Sequence, residues 1–208
     1  VQTSKMSQAL KSRCPECRQK VPTSAEEGVK QVRVWVDKGK AWAQTSLANK
    51  YQYGTGVPQS YEKAIEYYNM AVKQGDPNAM YRLAGLYHGG KGVAQSLEKT
   101  VELYALAANQ GHATAQYNVG ILYVNGQGVA QSYEKSSELL TLAANQGHAE
   151  AQYDLGRLYI QGKGVARSNA MARKWWLKAA LQEHESAIKN LKTLDKEEGK
   201  TTPTLPCC

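Results

Sequence analysis

Cys14 and Cys17 flank a two-residue step in Arg13-Cys14-Pro15-Glu16-Cys17-Arg18, and by type and spacing they are the residues best suited to do chemistry. Two thiolates so placed can reach one tetrahedral zinc ion, with Zn–S bonds of about 2.3 Å. A redox pair, a chance pairing and a zinc site of another kind fit the same spacing. His112, His148 and His184 share one 36-residue register, which invites a metal ladder. Equivalent atoms of stacked helix pairs stand about 10 Å apart or more, and no two could share a zinc with bonds near 2 Å. They read as turn residues, with Asp76 and Lys40 at the matching positions. Glu62-Lys63, Glu98-Lys99 and Glu134-Lys135 also recur, with Glu66, Glu102 and Glu138 four residues after the first acids. They read as solvated helix charges, the acid favouring a helix N-terminus, rather than as an acid/base pair. Trp175-Trp176 would suit a ligand platform, but their register with Tyr67-Tyr68 assigns them to the core.

The element that must position these residues is a repeat. Gly54-Thr-Gly56-Val57, Gly90-Lys-Gly92-Val93, Gly126-Gln-Gly128-Val129 and Gly162-Lys-Gly164-Val165 follow one another every 36 residues. They lack the longer contexts of phosphate-binding loops and follow helical patterns, not strands, so they read as turns. A period of this size marks a solenoid, in which each unit buries its apolar face against its neighbours. Helix A of each unit runs through Ala43 to Tyr51, Ala79 to Tyr87, Ala115 to Tyr123 and Ala151 to Tyr159. Ala, Leu/Val and Tyr return there at i, i+4 and i+8, the stripe of one buried helix face. The small residues Ala84, Gly120 and Gly156 that follow the Leu/Val are expected to admit a neighbouring backbone. Helix B is expected to open at Ser24, Ser60, Ser96, Ser132 and Ser168, each hydroxyl capping the first turn. Ser24 and Glu27 form a capping-box pattern. Ala71, Ala107, Ala143 and Ala179 lie on the packed face of B, beside the bulky pairs Tyr67-Tyr68, Leu103-Tyr104, Leu139-Leu140 and Trp175-Trp176. Gly75, Gly111 and Gly147 end helix B in the left-handed conformation.

Composition narrows the function classes. The 208 residues are 42% hydrophobic, with no Phe but 13 Tyr and 4 Trp, which suits helices packed through rings with polar tips. No apolar run reaches the roughly 18 residues that span a bilayer, and no signal-peptide pattern occurs. The chain begins at Val1 rather than Met and is expected to be a fragment, so a missing leader carries little meaning. The net charge of +8 suggests nucleic acid until it is mapped. Residues 1–40 hold nine Lys/Arg against four acids, residues 173–208 seven against five, and residues 41–172 ten against nine. A nucleic-acid groove needs clustered Lys/Arg with interleaved aromatics, and nearly neutral repeats do not supply one. All four cysteines lie near the chain ends. The array therefore has no disulfide framework, which fits a reducing, cytoplasmic setting.

The Gly-x-Gly-Val loops, the Gly-His-Ala turns at 111–113 and 147–149, and Ala-x-x-x-Leu-Gly-x-x-Tyr on Ala151 to Tyr159 resemble Sel-1-like repeats over roughly residues 21–195. The resemblance implies an all-α, right-handed α-solenoid of helix-turn-helix repeats, related to tetratricopeptide arrays and used as an adaptor or scaffold in assembling complexes. Some bacterial relatives carry a disulfide in every repeat and are associated with penicillin binding or hydrolysis. No cysteine lies between Cys17 and Cys207, so that branch is not implied. Residues 13–18 resemble the last ligand pair of a RING finger. A RING needs eight ligands, and residues 1–13 contain no Cys or His. Residues 1–20 are therefore expected to be a truncated RING-like remnant on a basic arm. Were the finger complete upstream, Cys14 and Cys17 would hold Zn2+, and the resemblance would imply a ubiquitin ligase whose solenoid recruits substrate. Cys207-Cys208 resembles the doubly prenylated end of some small GTPases, but no GTPase fold precedes it, and the start of another zinc-binding segment is the other reading.

The array is expected at 21–195: a half-repeat at 21–38, repeats at about 39–74, 75–110, 111–146 and 147–182, and a capping helix at 184–195. There Asp195 replaces the tyrosine, no Gly-x-Gly follows, and the array is expected to close with a polar-faced cap. A disordered tail is expected at 196–208. On helix A, four offsets change from unit to unit while their neighbours hold: Trp42/Ser46/Asn49/Tyr53, Asn78/Arg82/Gly85/Gly89, Thr114/Asn118/Ile121/Asn125 and Glu150/Asp154/Arg157/Gln161. Their i, i+4, i+7, i+11 spacing puts them on one helical face, either a solvated surface free to drift or a concave strip that binds partners. Trp42, Tyr53, Arg82, Ile121 and Arg157 are of types that suit interface anchors. The expectation is a monomeric, non-enzymatic scaffold whose array needs no cofactor and binds protein or peptide segments. The substrate-recruiting part of a RING-type ligase is the alternative.

Overall fold

Residues 24–199 of the computed structural model are described. They fold as ten α-helices with no strand among the described residues, in agreement with the all-α expectation. Two compact units divide the chain, and each is taken by itself. The first comprises residues up to 79 together with 91–93, the second residues 80–90 and those from 94 onward. The first unit holds α1 (Ala25–Asp37), α2 (Ala41–Tyr53), α3 (Tyr61–Val72) and the opening residues of α4 (Pro77–Gly89). The remainder of α4 belongs to the second unit. There it is followed by α5 (Leu97–Asn109), α6 (Ala113–Asn125), α7 (Tyr133–Asn145), α8 (Ala149–Gln161), α9 (Asn169–Ala180) and α10 (Glu185–Glu197). The even-numbered helices are the A helices of the repeat and the odd-numbered ones the B helices. Residues 1–23 and 200–208, which carry the RING-like remnant and most of the tail, lie outside the described residues.

Every B helix starts where a serine can satisfy an exposed first-turn amide. The Oγ atoms of Ser24, Ser60, Ser96, Ser132 and Ser168 accept from the amides three residues on, at 3.1–3.3 Å. Such a cap is worth about 0.5–2 kcal/mol over alanine. Ser60, Ser96 and Ser132 also donate their hydroxyls to Glu62, Glu98 and Glu134. The lysines that follow do more than solvate the surface. Lys63 lies over the Tyr51 ring, Lys99 over Tyr87 and Lys135 over Tyr123, at 5.0–5.3 Å. The recurring Ser-x-Glu-Lys stretch thus caps helix B and pins its start to the last turn of helix A.

The A stripe packs as its period requires. Ala43, Leu47, Ala79, Leu83, Ala115, Val119, Ala151 and Leu155 are buried, as are Ala71, Ala107, Ala143 and Ala179 on the B side. Tyr51 is buried too, whereas Tyr87, Tyr123 and Tyr159 keep one edge in solvent. At the small position after Leu/Val, the close neighbour is chiefly a side chain rather than the expected backbone. A Cβ on Gly156 would sit 2.4 Å from Trp176 Nε1, and one on Gly120 would sit 3.1 Å from the Leu140 side chain. The Trp176 ring is held over Gly156 by donation from its Nε1 to the Tyr153 carbonyl at 3.0 Å. In the loops, the second glycine lets one repeat touch the next. Gly164 has φ +67°, and a Cβ there would lie 2.1 Å from the Tyr133 carbonyl oxygen.

A line of buried amides threads each unit. Gln44, Gln116 and Gln152 are almost wholly buried. Gln74 donates to Gln44, Gln146 to Gln116 and Gln182 to Gln152, at 2.7–2.9 Å. Gln116 and Gln152 pass the chain on to the carbonyls of Ala108 and Ala144. Buried amides are tolerable only when bonded in this way. The last helix corrects two expectations. Asp195 does not face water: it is 1% exposed and pairs with Arg173, which also meets Glu198 at 2.6 Å. The helix continues to Glu197, so the expected start of the tail at 196 falls inside it.

Candidate partner-binding site

In the first unit the variable face of α2 carries two large exposed rings. Trp42 is 51% exposed and Tyr53 60%. Trp42 leans on Trp35 with ring centres 5.9 Å apart, so one wall of it is fixed while the other is open. Asn49 is engaged internally, accepting from the Tyr68 hydroxyl at 2.6 Å. Ser46 is half-buried, and Asn78 is exposed at the start of α4, where its amide donates to Asp76.

In the second unit Arg82 is exposed with its guanidinium 5.6 Å from the Tyr81 ring centre. Asn118 is half-buried, and burial pushes the Tyr104 phenol up to about 12. Glu150 is exposed beside His148. Ile121, Asp154 and Arg157 converge on a cleft of about 410 Å³ between α6 and α8, completed by Tyr117, Val124, Asn125, Tyr133, Leu140, Leu158, Gln161 and Lys163. Its size is that of a small-ligand pocket.

Geometry fixes the roles inside this cleft. Asp154 Oδ2 accepts from the Tyr117 hydroxyl at 3.2 Å, and Oδ1 accepts from Arg157 Nη1 at 3.0 Å. Burial, and then the Asp154 carboxylate, push the Tyr117 phenol up to about 12, so it stays a donor through the neutral range. Arg157 is half exposed, and Lys163 stands 5.1 Å over the Tyr133 ring. The cleft's lining holds one carboxylate, already tied by two donors. The variable offsets of helix A do not include Lys163, in the loop, or Tyr133, at the start of a B helix. Tyr117 recurs with Tyr81 and Tyr153 and so resembles scaffold.

The three histidines are N-caps. Nδ1 of His112, His148 and His184 accepts from the amides of Ala115, Ala151 and Ala187 at 3.2–3.3 Å. Their rings stack on Tyr81, Tyr117 and Tyr153 at 4.6–4.7 Å. Asp76 does the same work for α4, accepting from Ala79 at 3.0 Å. Burial holds His112 and His148 below the usual imidazole value. Glu150 lies 3.4 Å from His148 Nδ1, but a nitrogen that accepts from Ala151 has no proton to share, so the contact is not an ion pair at neutral pH. Among the described residues no group of three or more His, Cys, Asp or Glu could hold a metal ion, and Cys14 and Cys17 lie outside them.

The helix pairs, loop glycines and caps coincide with a known unit: the Sel1 repeat is matched at residues 43–76, 77–112, 113–148 and 149–184. The chain belongs to the Sel1 repeat family. Among solved structures it is similar to a Sel1 repeat protein from Oxalobacter formigenes, at 34% identity and a TM-score of 0.79, over 84% of this chain and 50% of that one. It is also similar to c5321, a protective antigen of uropathogenic Escherichia coli with the SLR fold, at 30% identity and a TM-score of 0.84, over 88% of this chain and 40% of that one. Likeness to the immunity protein Pa5087 of Pseudomonas aeruginosa, at 23% identity and a TM-score of 0.54 over 96% of this chain and 70% of that one, extends to the fold alone. No curated protein matches the chain. The chain spans half or less of the first two solved relatives. Sel1 repeats generally serve as protein–protein interaction scaffolds, and the fold is the helix-turn-helix α-solenoid of that family. No helix among the described residues is long and apolar enough to cross a membrane.

Proposed function

We propose that this Sel1 repeat chain is a non-enzymatic scaffold that docks segments of partner proteins on the variable faces of its A helices. The observation that carries the reading is the convergence of Ile121, Asp154 and Arg157, residues that vary between repeats, on one cleft. A face left free to drift has no reason to gather an apolar floor, a fixed carboxylate and two cations around one cavity. Trp42, Ser46, Asn49 and Tyr53 on α2, with Asn78, Arg82, Asn118 and Glu150 elsewhere, are proposed as further contacts. A monomer in the cytoplasm fits a repeat array free of cysteines. Zinc at Cys14 and Cys17, and with it a substrate-recruiting role in a RING-type ligase, rests on those two residues alone.

The test is partner capture with Arg82 and Arg157 both replaced by alanine. Capture is expected to weaken by about tenfold or more while the helical circular-dichroism signal stays unchanged. Undiminished capture by a folded double variant would remove the docking face from these helices.

A further inference from the structure

The cleft between α6 and α8 is chemically two-sided. Ile121, Leu140 and Leu158 give it an apolar floor, while Arg157 and Lys163 supply cations. Arg157 spends Nη1 on Asp154, and a guanidinium has five N–H donors, so a fork remains for a second carboxylate. Lys163 rests on the Tyr133 ring and has no carboxylate partner among the described residues. Asp154 cancels one of the two positive charges, and both its oxygens are already taken. What remains is a net positive rim with open donors above greasy walls. One repeat earlier, the positions of Asp154, Arg157 and Lys163 are filled by Asn118, Ile121 and Gln127, and two repeats earlier by Arg82, Gly85 and Lys91, so the Asp154–Arg157 pair beside a lysine occurs only in this repeat.

We infer that the cleft receives an acidic peptide segment in which a Glu or Asp side chain lies one to three residues from an apolar side chain. The inference rests on the docking reading above and specifies its ligand. The apolar residue seats against Ile121, Leu140 and Leu158, and the carboxylate is received by Arg157 and Lys163. A cavity of about 410 Å³ has room for one leucine-sized side chain and a carboxylate, not for a folded surface. The Asn125 and Gln161 amides line the same cleft and offer donors and acceptors to the peptide backbone between the two anchors. The negative group is a side chain rather than a chain end, because a segment that runs along the A-helix faces carries its charge on side chains.

The test uses the full chain, ¹⁵N-labelled, titrated with acetylated and amidated octapeptides bearing one Leu and one Glu at every spacing from one to three in a Gly/Ser background. Amide shifts are expected around Ile121, Arg157 and Lys163, weakening as salt is raised. Changing the peptide's Glu to Gln should weaken binding roughly tenfold, the weight of one charge-assisted hydrogen bond. The R157Q/K163Q chain should lose the same factor toward the Glu peptide and little toward the Gln peptide, with the remaining spectrum unchanged. Equal binding of Glu and Gln peptides overturns the inference, as does the absence of shifts in the cleft. So does tighter binding of a Gln peptide with a free C-terminal carboxylate, which would make the cleft a chain-end clamp. The two readings fail separately: a partner still captured by the R157Q/K163Q chain, but lost when Arg82 and Arg157 are both replaced by alanine, preserves the scaffold while ending this inference, whereas undiminished capture by the double alanine chain ends the docking reading.

Discussion

Two repeats of the second unit, residues 113–148 and 149–184, share a frame and differ in what fills it. Each begins at a histidine cap stacked on the tyrosine of the preceding A helix, and each closes a glutamine pair across its helices. Their B helices open at Ser132 and Ser168, with the same bond to the amide three residues on. The filling then diverges. Leu140 packs against Gly120 in one, and Trp176 against Gly156 in the other. Asn118 and Ile121 become Asp154 and Arg157, and Gly147, left-handed at φ +89°, becomes Glu183 at φ +62°. Features that make the fold recur because every repeat needs the same caps and close approaches. Features that differ fall where helix A packs on helix B, at the end of helix B and on the variable face of helix A.

The seam glycines give the strongest means of breaking this pairing. Gly156→Ala drives a methyl into the indole at 2.4 Å and endangers the Trp176–Tyr153 bond, and is expected to cost about 2–4 kcal/mol. Gly120→Ala meets a leucine at 3.1 Å that can shift, while alanine gains about 1 kcal/mol of helix propensity, so its net effect should be near zero. Chemical denaturation of the two variants measures the gap, and equal losses would show that Trp176 is not wedged. The next effect has the opposite sign. Glu183 occupies a conformation that costs a side chain about 1–2 kcal/mol, so Glu183→Gly, which restores the residue of the preceding repeat, should stabilise by roughly 0.5–1 kcal/mol. A lower unfolding midpoint for that variant would mean that Glu183 makes compensating contacts.

The smallest effect separates the histidine caps from the rest. His112 and His148 are held below their ordinary value of 6.5 by burial, so the folded chain prefers the neutral ring and the unfolded chain takes up protons first. Their stabilisation is complete above 6.5 and drains away as the pH falls through the lower folded values. Partial exposure of both rings keeps the loss modest. Thermal melts from pH 7.5 down to pH 5 should show a falling midpoint. Replacing both histidines by aspartate, the residue that caps α4 at position 76, should remove much of that fall. A wild-type midpoint that does not move would show that the folded and unfolded chains take up these protons alike.

Much of the fold was legible because its causes are local and repeated. A serine before a helix, a glycine after it and an alanine–leucine stripe between them act over a few residues, and four copies in register remove chance. The buried glutamines were missed for a physical reason: polar residues are assigned to the surface unless a partner is visible, and Gln116 finds Gln146 thirty positions away. The period carried the signal all the same, since Gln44, Gln116 and Gln152 stand at one offset and Gln74, Gln110, Gln146 and Gln182 at another. Asp195 is hidden in the same way, its partner Arg173 lying on the preceding helix. Of the proposed binding face, Ile121, Asp154 and Arg157 do share a cleft, while Asn49 spends its side chain on Tyr68 of a B helix. Equal spacing puts residues on one face, but only the neighbours decide which of them are left to meet a ligand.

The fit of Gly164 beneath the Tyr133 carbonyl bears on how such a chain can change length over generations. Where each loop is moulded to the start of the previous B helix, excising or duplicating a block of one whole period rejoins surfaces that already match, whereas any other length forces a side chain into a space with no room for one. Arrays of this kind are thus able to grow and shrink by integral steps, and the cleft beside Arg157 can be carried intact into a longer or shorter descendant.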